Sequence, residues 1–192
     1  MAVQSAVSIC NVALRLLGAK PITALTDNTT EGRAANESYD STRKALLRSH
    51  PWNFAMARTN LDSPLVAAPA WGYAVQFELP ANVLIVRALN KDTLNWASWK
   101  VESRRLLCDM TTAGILYTTD FEDAAAMPAD FGKALSGALA LEFAHQLTGL
   151  TKGIKLAQAY YDLWLSTAKT NDGMEGTSEP LEDTTLVDER NQ

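Results

Sequence analysis

The sequence has few of the residues on which catalysis and metal binding usually depend. Its 192 residues include two histidines and two cysteines, with no Gly-x-Ser-x-Gly motif and no phosphate-binding loop. Nucleophilic and nucleotide-dependent catalysis therefore lack a recognisable set of residues. Glu142 and His145 have the Glu-x-x-His spacing of di-iron bundles, but the other histidine, His50, has no paired glutamate. We predict no catalytic residue, no metal site and no cofactor.

Long apolar runs and an excess of basic residues are also missing. No stretch approaches the roughly 20 apolar residues that span a bilayer, and no basic segment precedes the first apolar residues. We therefore expect neither secretion nor membrane insertion, and synthesis in a reducing cytoplasm, where Cys10 and Cys108 act as small buried hydrophobes. A net charge of −5 argues against tight binding to nucleic acid.

The negative charge is concentrated at the C-terminal end. Residues 171–192 carry a net charge of −6, whereas residues 1–170 carry +1. A segment rich in acids, Gly, Ser, Thr and Pro buries too little apolar surface to offset its ordering entropy, which predicts a flexible acidic tail. Leu181, Leu186 and Val187 interrupt its polarity and could anchor it on a partner. The alternative is a solvated tail without a partner.

Hydrophobic spacing predicts two helices before a β-rich region and two after it. Apolar residues from Val3 to Leu17 recur at helical spacing until Gly18. Asn28 and Glu31 resemble a capping box that opens a second helix to about Ser49. A third helix is expected from Pro128 toward Gly149, and a last helix carries these apolar residues: Leu156, Ala159, Tyr160, Leu163 and Trp164.

The middle of the chain changes to the alternating pattern of strands. Residues 71–79 alternate until Pro80, and shorter alternating segments follow up to Tyr117. We predict a mainly α fold: a four-helix bundle with an inserted small antiparallel β subdomain and an extended C-terminal tail. The predicted organisation is helices one and two in 1–56, the β-rich subdomain in 57–127, helices three and four in 128–170, and the tail in 171–192.

The run RKALLRSHPWNFA, residues 43–55, is the most distinctive local feature. Pro51 ends an amphipathic helix and biases His50 toward an extended backbone. Trp52 and Phe54 are then predicted to alternate like strand residues. Large aromatics at such a corner either fix how two layers meet or provide an interface.

Three segments carry a resemblance by their order and spacing: NVALRLLGAKPITALTDNTTEGRAANESYDSTRKALLRSHPWNFA, then YAVQFELPANVLIVRAL, then MPADFGKALSGALALEFAHQLTG. Over about Val3 to Lys169 they resemble the tail tubular protein A family, ring-forming adaptors that join portal to tail in short-tailed phages. The most specific part is the run LG...I..L.D...E..R......Y...R..LL..HPW. One departure is Ser103, where relatives usually carry a glycine in the turn.

The resemblance implies a structural head-to-tail adaptor in the virion. It implies a ring, typically of twelve copies, that binds the portal protein above and a tail or nozzle protein below, while DNA passes through without specific binding. The candidate subunit-interface residues are Trp52, Phe54, Trp71, Tyr73 and Arg43, although the aromatics could instead be ordinary core. The candidate portal-binding residues lie in the tail: Leu181, Leu186, Val187, Asp183, Asp188 and Glu189.

Two other functions stay open from the sequence. A cell-wall glycosidase carried by the particle needs only two carboxyl groups at a suitable separation, and this chain has many acids. A helical ligand-binding or regulatory domain would instead contain a sizeable apolar cavity.

Overall fold

The computed structural model describes residues 4–90, 98–147 and 151–176. Within these residues the chain forms four α-helices and six β-strands, and all the strands lie between the second and third helices. The helices are α1 (Ala6–Leu16), α2 (Thr30–Ser49), α3 (Ala129–Leu147) and α4 (Thr151–Met174). The strands are β1 (Met56–Leu61), β2 (Val75–Glu78), β3 (Val83–Leu89), β4 (Trp99–Glu102), β5 (Arg105–Cys108) and β6 (Ala113–Thr119).

The prediction of a mainly α fold is wrong. The strands form two three-stranded antiparallel sheets, with orders β1-β6-β3 and β2-β5-β4, so the chain is an α+β protein. The sheets share a core of their own, in which Phe77 and Leu106 from one meet Ile115 and Tyr117 from the other. Sequence alternation indicated one small sheet because it identifies short strands but not which of them pair.

The third helix is the centre of the helical part. Helices α1, α2 and α4 all pack against α3. Between Phe131 and Ala144 only Lys133 and Glu142 are exposed, so this helix is buried on almost all sides. Among the described residues, no helix is both long and apolar enough to cross a membrane.

The ends of the first two helices follow from local sequence. The turn after α1 has Gly18 at φ +70°, and the amide of Ala19 donates to Leu14 O at 3.0 Å, as in a glycine-ended helix. The start of α2 differs from the prediction. Its N-cap is Thr29, whose hydroxyl accepts the Gly32 amide at 3.0 Å, so Asn28 does not form the expected capping box.

The hairpin between β4 and β5 contains the turn in which the sequence departs from the family pattern. Ser103 and Arg104 both have positive φ, at 46° and 60°, as a type I′ turn requires. Arg104 also donates through Nη2 to the main-chain oxygens of Pro80 and Ala81, at 2.9 and 3.2 Å. The hairpin therefore keeps its two-residue turn without glycine, and side-chain bonds to a neighbouring turn support it.

Candidate functional site

The segment between α2 and β1, residues 50–55, forms a corner that we call the junction. His50 is extended, with φ −147° and ψ 148°, as expected before Pro51. The prediction that the next residues alternate like a strand is wrong, since Asn53–Ala55 form a 3-10 turn and β1 begins at Met56. Contacts with the distant end of α4 hold this turn, and local sequence gives no sign of them.

Asp172, near the end of α4, closes the junction from the other side. One carboxylate oxygen accepts the backbone N–H of Asn53 at 2.8 Å, and the other lies 3.1 Å from His50 Nε2. The main-chain oxygen of Asp172 accepts a further bond from the Asn53 side chain at 2.6 Å. Because Asp172 is only 8% exposed, these bonds replace most of its contact with water. They fasten the end of α4 to the end of α2.

Trp52 fills the interior of the junction. Its indole nitrogen donates to Leu46 O at 2.9 Å, and 1% of the residue is exposed. Its ring lies edge-to-face against the ring of Phe131 in α3, with the centroids 5.1 Å apart. The ring of Phe54 also packs against Phe131, with the centroids 4.8 Å apart. Such aromatic pairs contribute roughly 0.5–1.5 kcal/mol beyond the area that they bury. The tryptophan therefore joins three helices and the chain segment that leads into the sheet.

Arg87 of β3 caps the end of α2. Its Nη2 donates to the main-chain oxygens of Arg48 and His50, both at 2.9 Å, and its Nε donates to Thr118 Oγ1 at 2.9 Å. The last carbonyls of a helix have no partner within the helix and carry partial negative charge, so a cation is favourable there. Burial, and then the neighbouring Arg48 charge, lower the pKa of Arg87.

Arg43 forms a second link between the helices and the sheets. Its guanidinium is 1% exposed, and Nη1 donates to Asp120 Oδ1 and Phe121 O, both at 2.6 Å. Lys44 Nζ also lies 3.1 Å from the Asp120 carboxylate. Because Asp120 directly follows β6, this ion pair fixes α2 against the first sheet. Because burying both charges costs much of what their attraction gains, such a pair fixes the orientation of α2 more than it adds to the free energy of unfolding.

The five candidate interface residues fall into two groups. Trp52 and Arg43 are interior, and Phe54 is half-buried against the helical core, which favours the alternative interpretation of these residues as core. Trp71 is 86% exposed in the loop between β1 and β2. Tyr73 is half-buried, and its hydroxyl lies 3.3 Å from Ser98 Oγ. The structure does not bring the five side chains together on one surface.

The candidate portal-binding residues lie outside the described residues. They are Leu181, Leu186, Val187, Asp183, Asp188 and Glu189. Helix α4 continues to Met174, so the first four residues of the predicted tail are helical and Asp172 among them is buried. The acidic segment without described structure begins at residue 177.

A groove of about 440 Å³ runs between α2 and α4 over α3. Small residues form much of its wall, and Glu142 is the single charged residue that lines it. The lining residues are Ser41, Thr42, Ala45, Leu46, Ser49, Ala138, Leu141, Glu142 and Tyr161. The groove is open to solvent, so it does not enclose a small molecule.

Helix α4 carries an exposed apolar surface that we call the outer stripe. Its large side chains are 37–76% exposed. Three of them, Leu156, Tyr160 and Leu163, belong to the helical spacing from which we predicted a side packed in the bundle. The outer stripe consists of Leu156, Ala159, Tyr160, Leu163, Thr167, Thr170 and Met174, all of which are exposed. The opposite side of α4 packs in the core instead, through Ala157 and Ala168, with Trp164 and Leu165 beside them.

No group of three or more His, Cys, Asp and Glu residues lies where it could bind a metal ion in the part of the chain that the structure describes. A small hollow of about 40 Å³ is lined by three carboxylates, those of Asp130, Asp172 and Glu175. Two of these are already engaged, since Asp172 binds the junction and Asp130 accepts from Asn171 at 2.6 Å. The arrangement is one of structural contacts.

No protein-family model matches the chain, and no curated protein matches it.

Proposed function

We propose that the protein is a structural head-to-tail adaptor of a short-tailed phage, which forms a ring between the portal and the tail around the DNA exit path. The observation that carries this proposal is the position of the signature residues. Arg43, His50 and Trp52 belong to the most specific part of the resemblance. Arg43 joins α2 to the residue after β6, His50 joins the end of α2 to α4, and Trp52 fills the junction. The signature residues therefore maintain the fold of the subunit, and a structural adaptor depends on its fold.

The exposed surfaces are consistent with a protein that works by contact. Four of the exposed large hydrophobic residues lie on the outer stripe of α4. The loop between β1 and β2 adds Val66 and Trp71, and residues 63–77 contain no charged side chain. Contiguous apolar surface on a folded protein commonly marks an interaction site. The two patches lie on different parts of the molecule, as expected for a subunit with several neighbours.

The glycosidase alternative has less support. A glycosidase places two carboxyl groups roughly 5 to 10 Å apart across a cleft that admits a sugar. The open groove is lined by one carboxylate, Glu142, and the hollow with three carboxylates is too small for a sugar ring. The ligand-binding alternative requires an enclosed apolar cavity, whereas the larger of the two hollows is an open groove.

The test is assembly with the portal protein of the particle to which we assign this chain. We expect the mixed proteins to co-sediment, and electron microscopy to show rings of this protein beneath the portal. The same protein should be present in purified particles. A chain that neither binds portal nor occurs in particles would refute the proposal, as would glycan hydrolysis that a single Asp or Glu substitution removes.

The acidic segment is the proposed portal contact, with Leu181, Leu186 and Val187 in apolar slots of the portal and its acids beside basic groups. Many weak contacts of this kind in a ring would hold by avidity. The deletion that tests this contact should begin after Gly176, because a cut at Thr170 would also remove the buried Asp172. The shortened chain should fold normally and fail to bind portal, and normal binding would contradict the assignment.

A further inference from the structure

Helix α4 has two apolar faces, and its own core covers only one of them. Successive residues of an α-helix are rotated by about 100°, so Tyr161 and Leu163 point to opposite sides, about 200° apart. Tyr161 lines the groove, whereas Leu163 is 58% exposed in the outer stripe. Lys155 and Asp162 lie between these faces, about 80–100° from Leu163, and the seven residues of the outer stripe carry no charge. A soluble helix normally has one apolar face, so the second one requires a partner.

The outer stripe and the groove are complementary in shape. The stripe presents large side chains at helical spacing, chiefly Leu156, Tyr160 and Leu163. The groove presents small ones, such as Ser41, Ala45 and Ala138. Large residues on one helix pack closely against small residues on another, because the two backbones can approach and the rows of large side chains fit between the rows of small ones.

We propose that the outer stripe of one copy of this chain occupies the groove between α2 and α4 of the next copy. This inference rests on the proposed ring and identifies the two surfaces that join its subunits. The groove and the stripe lie on opposite sides of α4, so one subunit offers both halves of the contact in different directions. Contacts of this head-to-tail kind close into a ring when the rotation between subunits allows it.

Charge favours a second copy over the chain's own acidic segment as the occupant. The groove has one charged lining residue, Glu142, which is negative. The segment from residue 171 onward has a net charge of −6 and would be repelled by it. The outer stripe has no charge, and the exposed Lys155 beside it would bring a positive charge toward Glu142 of the neighbour.

The size of the contact agrees with closure better than with an isolated dimer. The groove lining on α2 runs from Ser41 to Ser49, about 12 Å, and a helix is about 10 Å wide, so each partner buries roughly 120 Å² in the groove. A standard stable interface buries about 800 Å² per partner. A single stripe-in-groove contact is therefore weak, whereas each subunit of a closed ring makes two and gains the cooperativity of closure.

Thiol cross-linking of full-length variants tests the pairing. Ala45→Cys labels the groove, and Leu156→Cys, Tyr160→Cys and Leu163→Cys label the stripe in separate proteins. Each stripe variant is mixed with the groove variant in concentrated solution and treated with a short bismaleimide, which captures weak contacts irreversibly. The natural Cys10 and Cys108 are buried and should not react in the folded chain. We expect mixed dimers for at least one pair, several-fold above either variant alone.

The matched control is Gln158→Cys, an exposed position on the charged side of α4 that should give no mixed dimer. Leu163→Glu should lower cross-linking between Ala45→Cys and Tyr160→Cys at least tenfold, whereas Gln158→Glu should leave it unchanged. Absence of mixed dimers for all three stripe variants would overturn the proposal. So would loss of the cross-link on truncation after Gly176, because the acidic segment would then be required for the contact.

The outcomes separate this inference from the proposed function. A chain that binds portal and occurs in particles but gives no stripe-to-groove cross-link retains its adaptor role and loses this interface. A chain that cross-links as expected but never associates with portal or particles retains the interface and loses the adaptor role.

Discussion

Replacing Asp172 by alanine tests the most connected contact of the junction. The substitution removes a carboxylate that accepts the Asn53 amide at 2.8 Å and lies 3.1 Å from His50 Nε2. It leaves the main-chain bond from the Asn53 side chain in place, because that bond uses the backbone oxygen of residue 172. The experiment therefore isolates the carboxylate from the general presence of α4.

The expected loss follows from the number and kind of bonds. A hydrogen bond to a charged group contributes roughly 1.5–3 kcal/mol, and two are lost here. The His50 side chain is 25% exposed, so water can replace part of its bond and reduce the total. We expect Asp172→Ala to lower the free energy of unfolding by about 2–4 kcal/mol. For a chain of this size that corresponds to a Tm roughly 5–12 °C lower.

Urea unfolding followed by circular dichroism measures this change. Asp162→Ala is the matched control, since Asp162 is an exposed acid on the same helix whose carboxylate accepts from the side chain of Gln158 at 2.9 Å. The control should change stability by less than about 0.5 kcal/mol. Asp172→Asn keeps the shape and one acceptor, so it should fall between wild type and Asp172→Ala. Equal stability of the Asp172→Ala and Asp162→Ala variants would refute this account of the junction.

Three further changes test other parts of the fold. The Tyr39 hydroxyl is buried and has no hydrogen-bond partner among the described residues, so Tyr39→Phe should raise stability by about 1 kcal/mol in urea unfolding; a loss would indicate a missed partner. Burial raises the pKa of the Cys10 thiol to about 12, so the folded chain retains this proton where the unfolded chain has lost it. The contribution of Cys10 to the free energy of unfolding should be fully present below about pH 8.5 and be lost as the pH rises toward 12. Cys10→Ala should therefore make the decrease of this free energy with pH shallower, by up to about 1.4 kcal/mol per pH unit. Unfolding of both proteins at about pH 7 to 11 measures this, and the same pH dependence in both would contradict the prediction. Ser103 has φ +46°, so Ser103→Gly should stabilise the hairpin by about 0.5–1 kcal/mol, while Ser63→Gly, outside the left-handed region, should not.

Local sequence predicted the features that depend on local backbone preferences. Gly18 ends α1, and Pro51 places His50 in extended backbone, because each residue restricts its own neighbourhood. The four helices follow from the spacing of apolar residues along the chain. Local sequence could not show that Thr29 and not Asn28 is the N-cap of α2, because both residue types cap helices well and the two are neighbours.

The fold class and the junction depend on contacts between distant residues. Periodicity found short strands but could not say that they form two sheets with a core between them. The same limit applies to the junction, where Asp172 meets Asn53 across 119 positions of sequence. In the sequence, Asp172 is one acid in an acidic stretch, and nothing nearby distinguishes it from the acids that follow. Only the structure, in which Asp172 is buried and bonded to Asn53, shows that this acid belongs to the folded domain.

Helix α4 shows why periodicity cannot assign a face. Leu156, Tyr160 and Leu163 lie at helical spacing and suggested a core-facing side, yet they are exposed. The core takes the smaller Ala157 and Ala168, because α3 and α4 approach closely where a Cβ added to Gly137 would lie 2.8 Å from Tyr161 Cα. A close approach between two helices leaves room for small residues only, so the larger side chains must lie on the outside. An apolar face of large residues that a close-packed core excludes commonly marks an interaction site, and the partner that we propose for it is the groove of a neighbouring copy.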